Sequence, residues 1–242
     1  MVDIHSHILP DVDDGARSWE MAVHMCHIAA QDGIEHMVAT PHANGQFAYD
    51  RDWLRGVLNE LRQRVGPKPK LSLGCDFHFS YENLESLTTA PHRYTIEDTP
   101  YLLVELSDFS VPPTVTNELA DLLLRGLQPI ITHPERNLLL QRRPERVLEW
   151  VQHGCAVQVT ASAFSGRWGE KAKKVARWLM DREAVHILAT DSHSVEGRPP
   201  ILSDARDLVA RAFGQAVAQA LVDDNPRAVV SGLRLPYFPQ VQ

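Results

Sequence analysis

The sequence predicts an α/β fold: a closed or distorted TIM-like barrel of seven strand–helix units in one domain over 1–242, with a doubly wound open sheet as the alternative. Three observations carry this. Short β-rich runs alternate with longer amphipathic runs along the whole chain, the pattern of a parallel sheet with crossover helices. Runs such as Leu102-Leu103-Val104 and Ile187-Leu188-Ala189 are continuously apolar, as strands covered on both faces are. Residues able to hold a metal recur just after the strands, at the period of the structural unit.

The elements follow in order. Val2–Ile4 reads as a strand. Ser18 caps a helix running to Asp32, with Gly33 just beyond its end. Met37–Thr40 is strand-like, and Asp52–Val65 is a helix stopped by Gly66-Pro67. Leu71–Gly74 is a strand. Phe77–Pro100 reads as irregular, with a short helix over Tyr81–Leu87. Tyr101–Leu106 is a buried strand. Pro112-Pro113 opens a helix with Val115, Leu119, Leu122 and Leu123 on one face, ended by Gly126. Gln128–Thr132, Ala156–Thr160 and Val185–Thr190 are strands. Pro144–His153 and Gly169–Asp181 are the helices between them, and Ile201–Phe213 and Gln215–Leu221 close the chain as helices.

The 242 residues carry 24 Lys+Arg against 31 Asp+Glu, a formal charge of −7. That balance argues against nucleic acid or a membrane surface as partner, since both reward a basic patch. Met1-Val2-Asp3-Ile4-His5 has no basic or apolar leader, and no apolar run approaches the roughly 20 residues of a membrane span. A cytoplasmic protein is expected. Cys26, Cys75 and Cys155 read as three buried thiols, not a disulfide framework.

Twelve histidines are the excess in this composition. His7, His42, Asp76, Glu105, His133 and Asp191 each follow a strand. The steps are 35, 34, 29 and 28 residues, then 58, which is two units with the strand end at Thr160 between. In a parallel barrel the carboxyl ends of the strands gather on one face, so these residues converge in space. His5-Ser6-His7 puts two imidazoles on the same side of an extended strand, and Asp191-Ser192-His193 repeats the spacing with a mixed pair. The run Asp11-Val12-Asp13-Asp14-Gly15 adds carboxylates beside the first pair. A mixed N/O set suits Zn²⁺, Mn²⁺ or Fe²⁺. Of the remaining histidines, His24, His27 and His36 are placed on or near a helix, and His153 and His186 beside element boundaries. His78 and His92 flank the irregular segment, where they could line a pocket.

These motifs resemble the PHP (polymerase and histidinol phosphatase) superfamily, and more closely the bacterial PHP-type protein-tyrosine phosphatases of capsule and exopolysaccharide loci. The resemblance covers essentially the whole chain. It rests on Met1-Val-Asp-Ile-His-Ser-His7, Asp11-Val-Asp-Asp-Gly15, Ala39-Thr-Pro-His42, Leu102-Leu-Val-Glu-Leu106, Thr132-His-Pro-Glu-Arg-Asn137 and Thr190-Asp-Ser-His-Ser-Val-Glu-Gly-Arg-Pro-Pro200. It implies a distorted (βα)₇ barrel with up to three divalent ions (Mn, Fe, Co or Zn). One ion would be held by His5, His7 and Asp191 with Asp76 bridging, a second by Asp76, Glu105 and His133, the third by Asp14, His42 and His193. Arg136 and Arg198 match the family's phosphate-binding arginines; the alternative is an ion pair with a neighbouring carboxylate such as Glu135 or Glu196. One departure stands out. The family pattern has Glu in Gly-x-Glu, where this chain has Gly74-Cys75-Asp76. Asp is one methylene shorter, so a bridge needs a closer backbone or leaves one metal weaker. Phe77-His78-Phe79-Ser80 also departs and bears on substrate choice, with His78 a candidate substrate contact.

The chemistry this implies is phosphomonoester hydrolysis by attack of a metal-bound hydroxide on phosphotyrosine. A cysteine route needs Cys-x5-Arg, and the positions after five intervening residues hold Asp32, Tyr81 and Ala161, never Arg. The alternatives are a histidinol-phosphate-like small-molecule phosphatase, a PHP-type nuclease disfavoured by the charge, and a metal-poor scaffold that binds a partner. The resemblance also implies a partner, a membrane-bound bacterial tyrosine autokinase with a tyrosine-rich tail.

Overall fold

The computed structural model describes residues 1–241. Its elements in chain order are β1 (Val2–Ser6), α1 (Trp19–Gln31), β2 (His36–Ala39), β3 (His42–Ala43), α2 (Arg51–Val65), β4 (Lys70–Leu73), β5 (Asp76–His78), α3 (Tyr81–Thr89), β6 (Tyr101–Glu105) and α4 (Val115–Leu124). Then come β7 (Gln128–Thr132), α5 (Glu145–Gln152), β8 (Ala156–Thr160), α6 (Gly169–Asp181), β9 (Ile187–Ala189), α7 (Ser203–Phe213), α8 (Gln215–Gln219) and α9 (Asn225–Val230).

Every pairing among the described strands is parallel, in the orders β1-β2-β4 and β3-β5-β6-β7-β8-β9. The two sheets are one wall, interrupted. β3 continues β2 after Thr40-Pro41, and β5 continues β4 after Gly74-Cys75. Pro41 has no N–H to give the ladder. A Cβ at Gly74 would stand 3.0–3.2 Å from Ile96, Val38 and Thr40, so the chain passes close to its neighbours there. The wall closes where His7 N–H donates to Ser192 O at 2.8 Å and Asp191 N–H to His5 O at 2.9 Å. Counted through the breaks, seven parallel strands form a closed barrel, and the open-sheet alternative falls away.

The helices begin and end where local chemistry places them. Ser18 Oγ accepts from Met21 N–H at the start of α1, and Asp50 Oδ1 from Asp52 and Trp53 N–H at the start of α2. Gly33 and Gly66 adopt positive φ just beyond their ends. The apolar outer faces of the strands pack on the helices in one large cluster. A second cluster fills the barrel: Val2, Ile4, Val38, Tyr101, Leu103, Ile130, Ala156, Ile187 and Ala189, closed below by Val229 of α9. No helix is long and apolar enough to cross a membrane among the described residues.

Three expectations are corrected. Phe77 and His78 belong to a barrel strand, Asp76–His78, and not to an irregular stretch, because Cys75 and the polar ends of this three-residue run hide its alternation. α3 runs on to Thr89, and α9 lies beyond the last predicted helix. His36 belongs to β2, buried against Ser72 Oγ at 2.8 Å, and is not near a helix.

Candidate metal centre

The inward rows of the barrel change character along each strand. Tyr101 and Leu103 lead to Glu105, Ile130 to Thr132, Ala156 to Gln158 and Thr160, and Ile187 and Ala189 to Asp191. The amino-terminal layer is apolar and the carboxyl-terminal mouth is polar. In β1 the pairing register shifts by one residue between Asp3 and Ser6. The extra residue lets Ile4 and His5, neighbours in sequence, both face the interior, Ile4 in the apolar cluster and His5 against Gln158. A bulge beside a site re-aims side chains in this way.

Each imidazole of the first pair is held from behind. His5 Nδ1 lies 2.9 Å from Gln158 Oε1, and His7 Nδ1 lies 2.7 Å from Asp13 Oδ2. Asp13 also accepts from Gly15 N–H at 3.0 Å and His42 N–H at 3.2 Å, so one carboxylate orders three segments. With Nδ1 donating, both Nε2 lone pairs point at the same region, 3.3 Å apart. Asp191 Oδ1 lies 3.5 Å from His5 Nε2 and 3.4 Å from His7 Nε2.

Asp76 stands in the middle. Its Oδ2 is 3.3 Å from His42 Nδ1, 3.5 Å from His5 Nε2 and 4.0 Å from His133 Nε2. Asp reaches the middle because β5 is part of the barrel wall, in register with His42. Glu105 lies 3.7 Å from His42 Nδ1 and 3.8 Å from His133 Nε2. On the outer side, Asp14 Oδ1 is 3.4 Å from His42 Nε2 and 3.3 Å from His193 Nε2.

Three overlapping sets could each hold a cation, their donor atoms within 4.8 Å of one another: His7, Asp14, His42 and His193; His5, His7 and Asp76; His42, Asp76 and Glu105. Asp76 Oδ2 and His42 Nδ1 are buried yet have no hydrogen-bond partner. Buried polar atoms are ordinarily satisfied, and unpartnered ones converging from several sides fit divalent cations of the mixed N/O type, which would displace any ring proton. His133 and Asp191 both hold positive φ, 35° and 50°, a conformation uncommon outside glycine and found where surrounding structure enforces a site.

Arg136 and Arg198 converge on the same oxygen, Asp191 Oδ2, Arg198 Nη2 at 2.5 Å. Their carboxylate partner is Asp191, neither Glu135 nor Glu196; Glu135 instead accepts from Thr160 N–H at 2.9 Å. His78 stands at the edge, its Nδ1 3.4 Å from Glu105 Oε2. His92 is exposed, its carbonyl accepting from Arg51 at 2.6 Å, away from the centre.

The electrostatics follow from burial against charge. Burial disfavours charged His7, but Asp13 outweighs it and raises the ring to about 9; Asp14 and Asp76 likewise raise buried His42 to about 11. Burial and the neighbouring His7 push His193 down to about 4. Burial works against charged Asp76 and Asp191. His5, with the other imidazoles around Asp76 and with Arg136 beside Asp191, nonetheless holds both well below the carboxylate range.

Sequence reasoning missed Asp13, Gln158, Asp3 and Trp168. Asp13 lay in a flagged run, and Gln158 is a polar residue in an otherwise apolar strand, so both left a signal. Asp3 ties β1 to Thr190, accepting from its N–H at 3.0 Å, and Trp168 lies over both arginines. Asp3 lies within the Met1–His7 motif and so left a signal too; nothing in the sequence marks Trp168.

The profile of a family described as "Capsular polysaccharide synthesis, CpsB/CapC" matches residues 1–231. The chain is 31% identical over 239 residues to the tyrosine-protein phosphatase CpsB of Streptococcus pneumoniae, covering 95% of this chain and 98% of that protein. It is 30% identical to the tyrosine-protein phosphatase YwqE of Bacillus subtilis, over 93% of this chain and 89% of that one. In structure it is similar to a chain from the crystal structures of those two proteins, described as metal-dependent tyrosine phosphatases: TM-score 0.91 at 28% identity, covering 97% and 96%. A phosphotriesterase homology protein from Escherichia coli, TM-score 0.64 at 13% identity over 95% and 98%, shares the fold alone.

Proposed function

The chain belongs to the CpsB/CapC family of capsular polysaccharide synthesis, and from that premise we propose that it is a metal-dependent protein-tyrosine phosphatase. The observation that carries the reading is the convergence of seven His, Asp and Glu side chains in overlapping sets, with His133 and Asp191 against them and two arginines beside Asp191, at one barrel mouth. His5, His7 and Asp191 with Asp76, then Asp76, Glu105 and His133, then Asp14, His42 and His193 would hold up to three divalent ions. Bound ions supply Lewis acidity, lowering the pKa of water toward about 7 and drawing charge from phosphoryl oxygens.

The chain's own residues do the rest. Gln158 and Asp13 fix the tautomers of His5 and His7 so that Nε2 faces the centre. Arg136 and Arg198 offer N–H groups to the equatorial phosphoryl oxygens, where charge grows in the transition state. The phenolate leaving group has a pKa of about 10 and needs little protonation, so no dedicated acid is required. Cys26 and Cys155 are buried, their thiols pushed up to about 12, and Cys75 is buried too. None offers a thiolate nucleophile, so water attacks phosphorus directly. The substrate is a phosphotyrosine protein, the partner a bacterial tyrosine autokinase, and the site of action the cytoplasm.

The test is hydrolysis of a phosphotyrosine peptide after chelation, with Mn²⁺, Co²⁺ or Fe²⁺ restored, beside histidinol phosphate and single-stranded DNA. Turnover of the peptide only with metal is expected. No turnover with any metal, in protein shown to be folded, refutes the proposal.

A further inference from the structure

Trp168 closes the loop after β8 and lines a cavity of about 170 Å³ with Glu105, Thr132, His133 and Arg136. The Arg136 guanidinium lies 3.6 Å above its ring and that of Arg198 5.0 Å from it, both within cation–π range. The indole is itself fixed, its Nε1–H donating to Ser162 Oγ at 2.9 Å. The loop is tied across the mouth where Arg167 donates to Gly197 O, next to Arg198.

Two guanidinium groups meeting on one carboxylate oxygen repel each other, and Asp191 neutralises only one of them. Asp191 also faces His5 and His7, so it cannot follow the arginines if they swing away. A guanidinium has two kinds of surface: an edge of N–H donors and a flat face. Trp168 meets the positive charge with its ring and uses none of the N–H donors. Arg198 Nε is buried with no partner, an unspent donor on that edge. The cation–π contact therefore holds both groups in place while their N–H bonds pass from a carboxylate oxygen to another anion.

We infer that Trp168 is a positioning residue: its indole face holds Arg136 and Arg198 together as a preformed site for a phosphoryl dianion. This rests on the reading of those arginines as the phosphate-binding pair. The test is calorimetric titration of inorganic phosphate into metal-loaded wild type, Trp168→Phe and Trp168→Leu. Both variants lose the bond to Ser162, and only Phe keeps an aromatic face. The expected result is a Kd for phosphate raised about tenfold in the Leu variant and less than twofold in the Phe variant, with metal content and Tm like wild type in both. Two results overturn the inference: phosphate affinity within twofold of wild type in the Leu variant, or a Phe variant as weak as Leu, which assigns the effect to the Ser162 bond. Turnover of a phosphotyrosine peptide by the wild type is scored separately. A protein that binds phosphate in this pattern but does not turn the peptide over removes the proposed reaction and leaves the role of Trp168 standing.

Discussion

Asp76 and Asp13 are both carboxylates near the same histidines, and their surroundings assign them different work. Asp76 Oδ2 is buried, unpartnered and faced by three imidazoles. Asp13 spends its oxygens on His7 Nδ1 and two backbone N–H groups. Asp76→Asn keeps the shape and removes the charge from the middle of the proposed cluster. It is expected to lower kcat/KM by more than about 100-fold and to reduce the bound metal, read by elemental analysis of dialysed protein. Asp13→Asn can still accept from the backbone, but it orients His7 poorly. A loss of about 10–100-fold in metal affinity is expected, with activity recovered at high metal concentration. Equal and unrecoverable losses in the two variants would erase the distinction between holding a metal and holding its ligand.

At the scale of elements, the strand ends were legible in the sequence and the irregularities between them were not. His5, His7, His42, Glu105, His133 and Asp191 sit where an alternation of strands and helices puts them, because parallel strands must return to the same face. The shift in β1 leaves no mark in composition, since Ile4 and His5 read as ordinary alternation until the partner strand fixes the register. β5 was missed because a three-residue strand ending in Asp and His has no hydrophobic period to detect. The return of the chain after β1 is equally constrained. A Cβ on Gly15 would lie 2.1 Å from His7 O and 2.5 Å from His7 Cβ, and Ala16 N–H donates to that same carbonyl at 3.0 Å. The obstacle is backbone, so it cannot rotate aside. Gly15→Ala is expected to push this turn off His7, lowering stability by about 2 kcal/mol and metal affinity at least about tenfold. Urea unfolding and metal titration of the one variant check both.

The whole molecule joins an acidic chain to an anionic substrate. Three divalent ions at the mouth would bring the formal −7 nearly to neutrality and make the mouth locally positive. The other end of the barrel is closed by the segment that follows β9, and its stability carries a signature of its own. Val229 of α9 enters the interior cluster, and Asn225 Nδ2 donates to His186 O at 2.8 Å and Tyr237 O at 2.7 Å. His186 is fully buried there, its Nδ1 accepting from Val157 N–H at 3.1 Å and its ring 4.1 Å from that of Phe238. Burial pushes His186 down to about 3 and, in β2, His36 down to about 4, from an ordinary 6.5. Above 6.5 both are neutral in the folded and unfolded chain and contribute nothing. Below it the unfolded chain takes up protons that the folded chain refuses, so stability is lost as pH falls from 6.5 toward 4. Each histidine costs about 1 kcal/mol at pH 5.5. Asp3, raised to about 6 by burial, acts with the opposite sign between about 4 and 6, so the raw profile mixes the two. Comparison with a variant separates them. His186→Asn keeps an acceptor for Val157 N–H and cannot take up a proton. Urea denaturation at pH 7.0 and 5.5 is expected to give a smaller drop for His186→Asn than for wild type, by about 1 kcal/mol, whatever the variant's stability at pH 7.0. Identical drops would mean that His186 accepts its proton while folded, and that the floor of the barrel opens to water at this position.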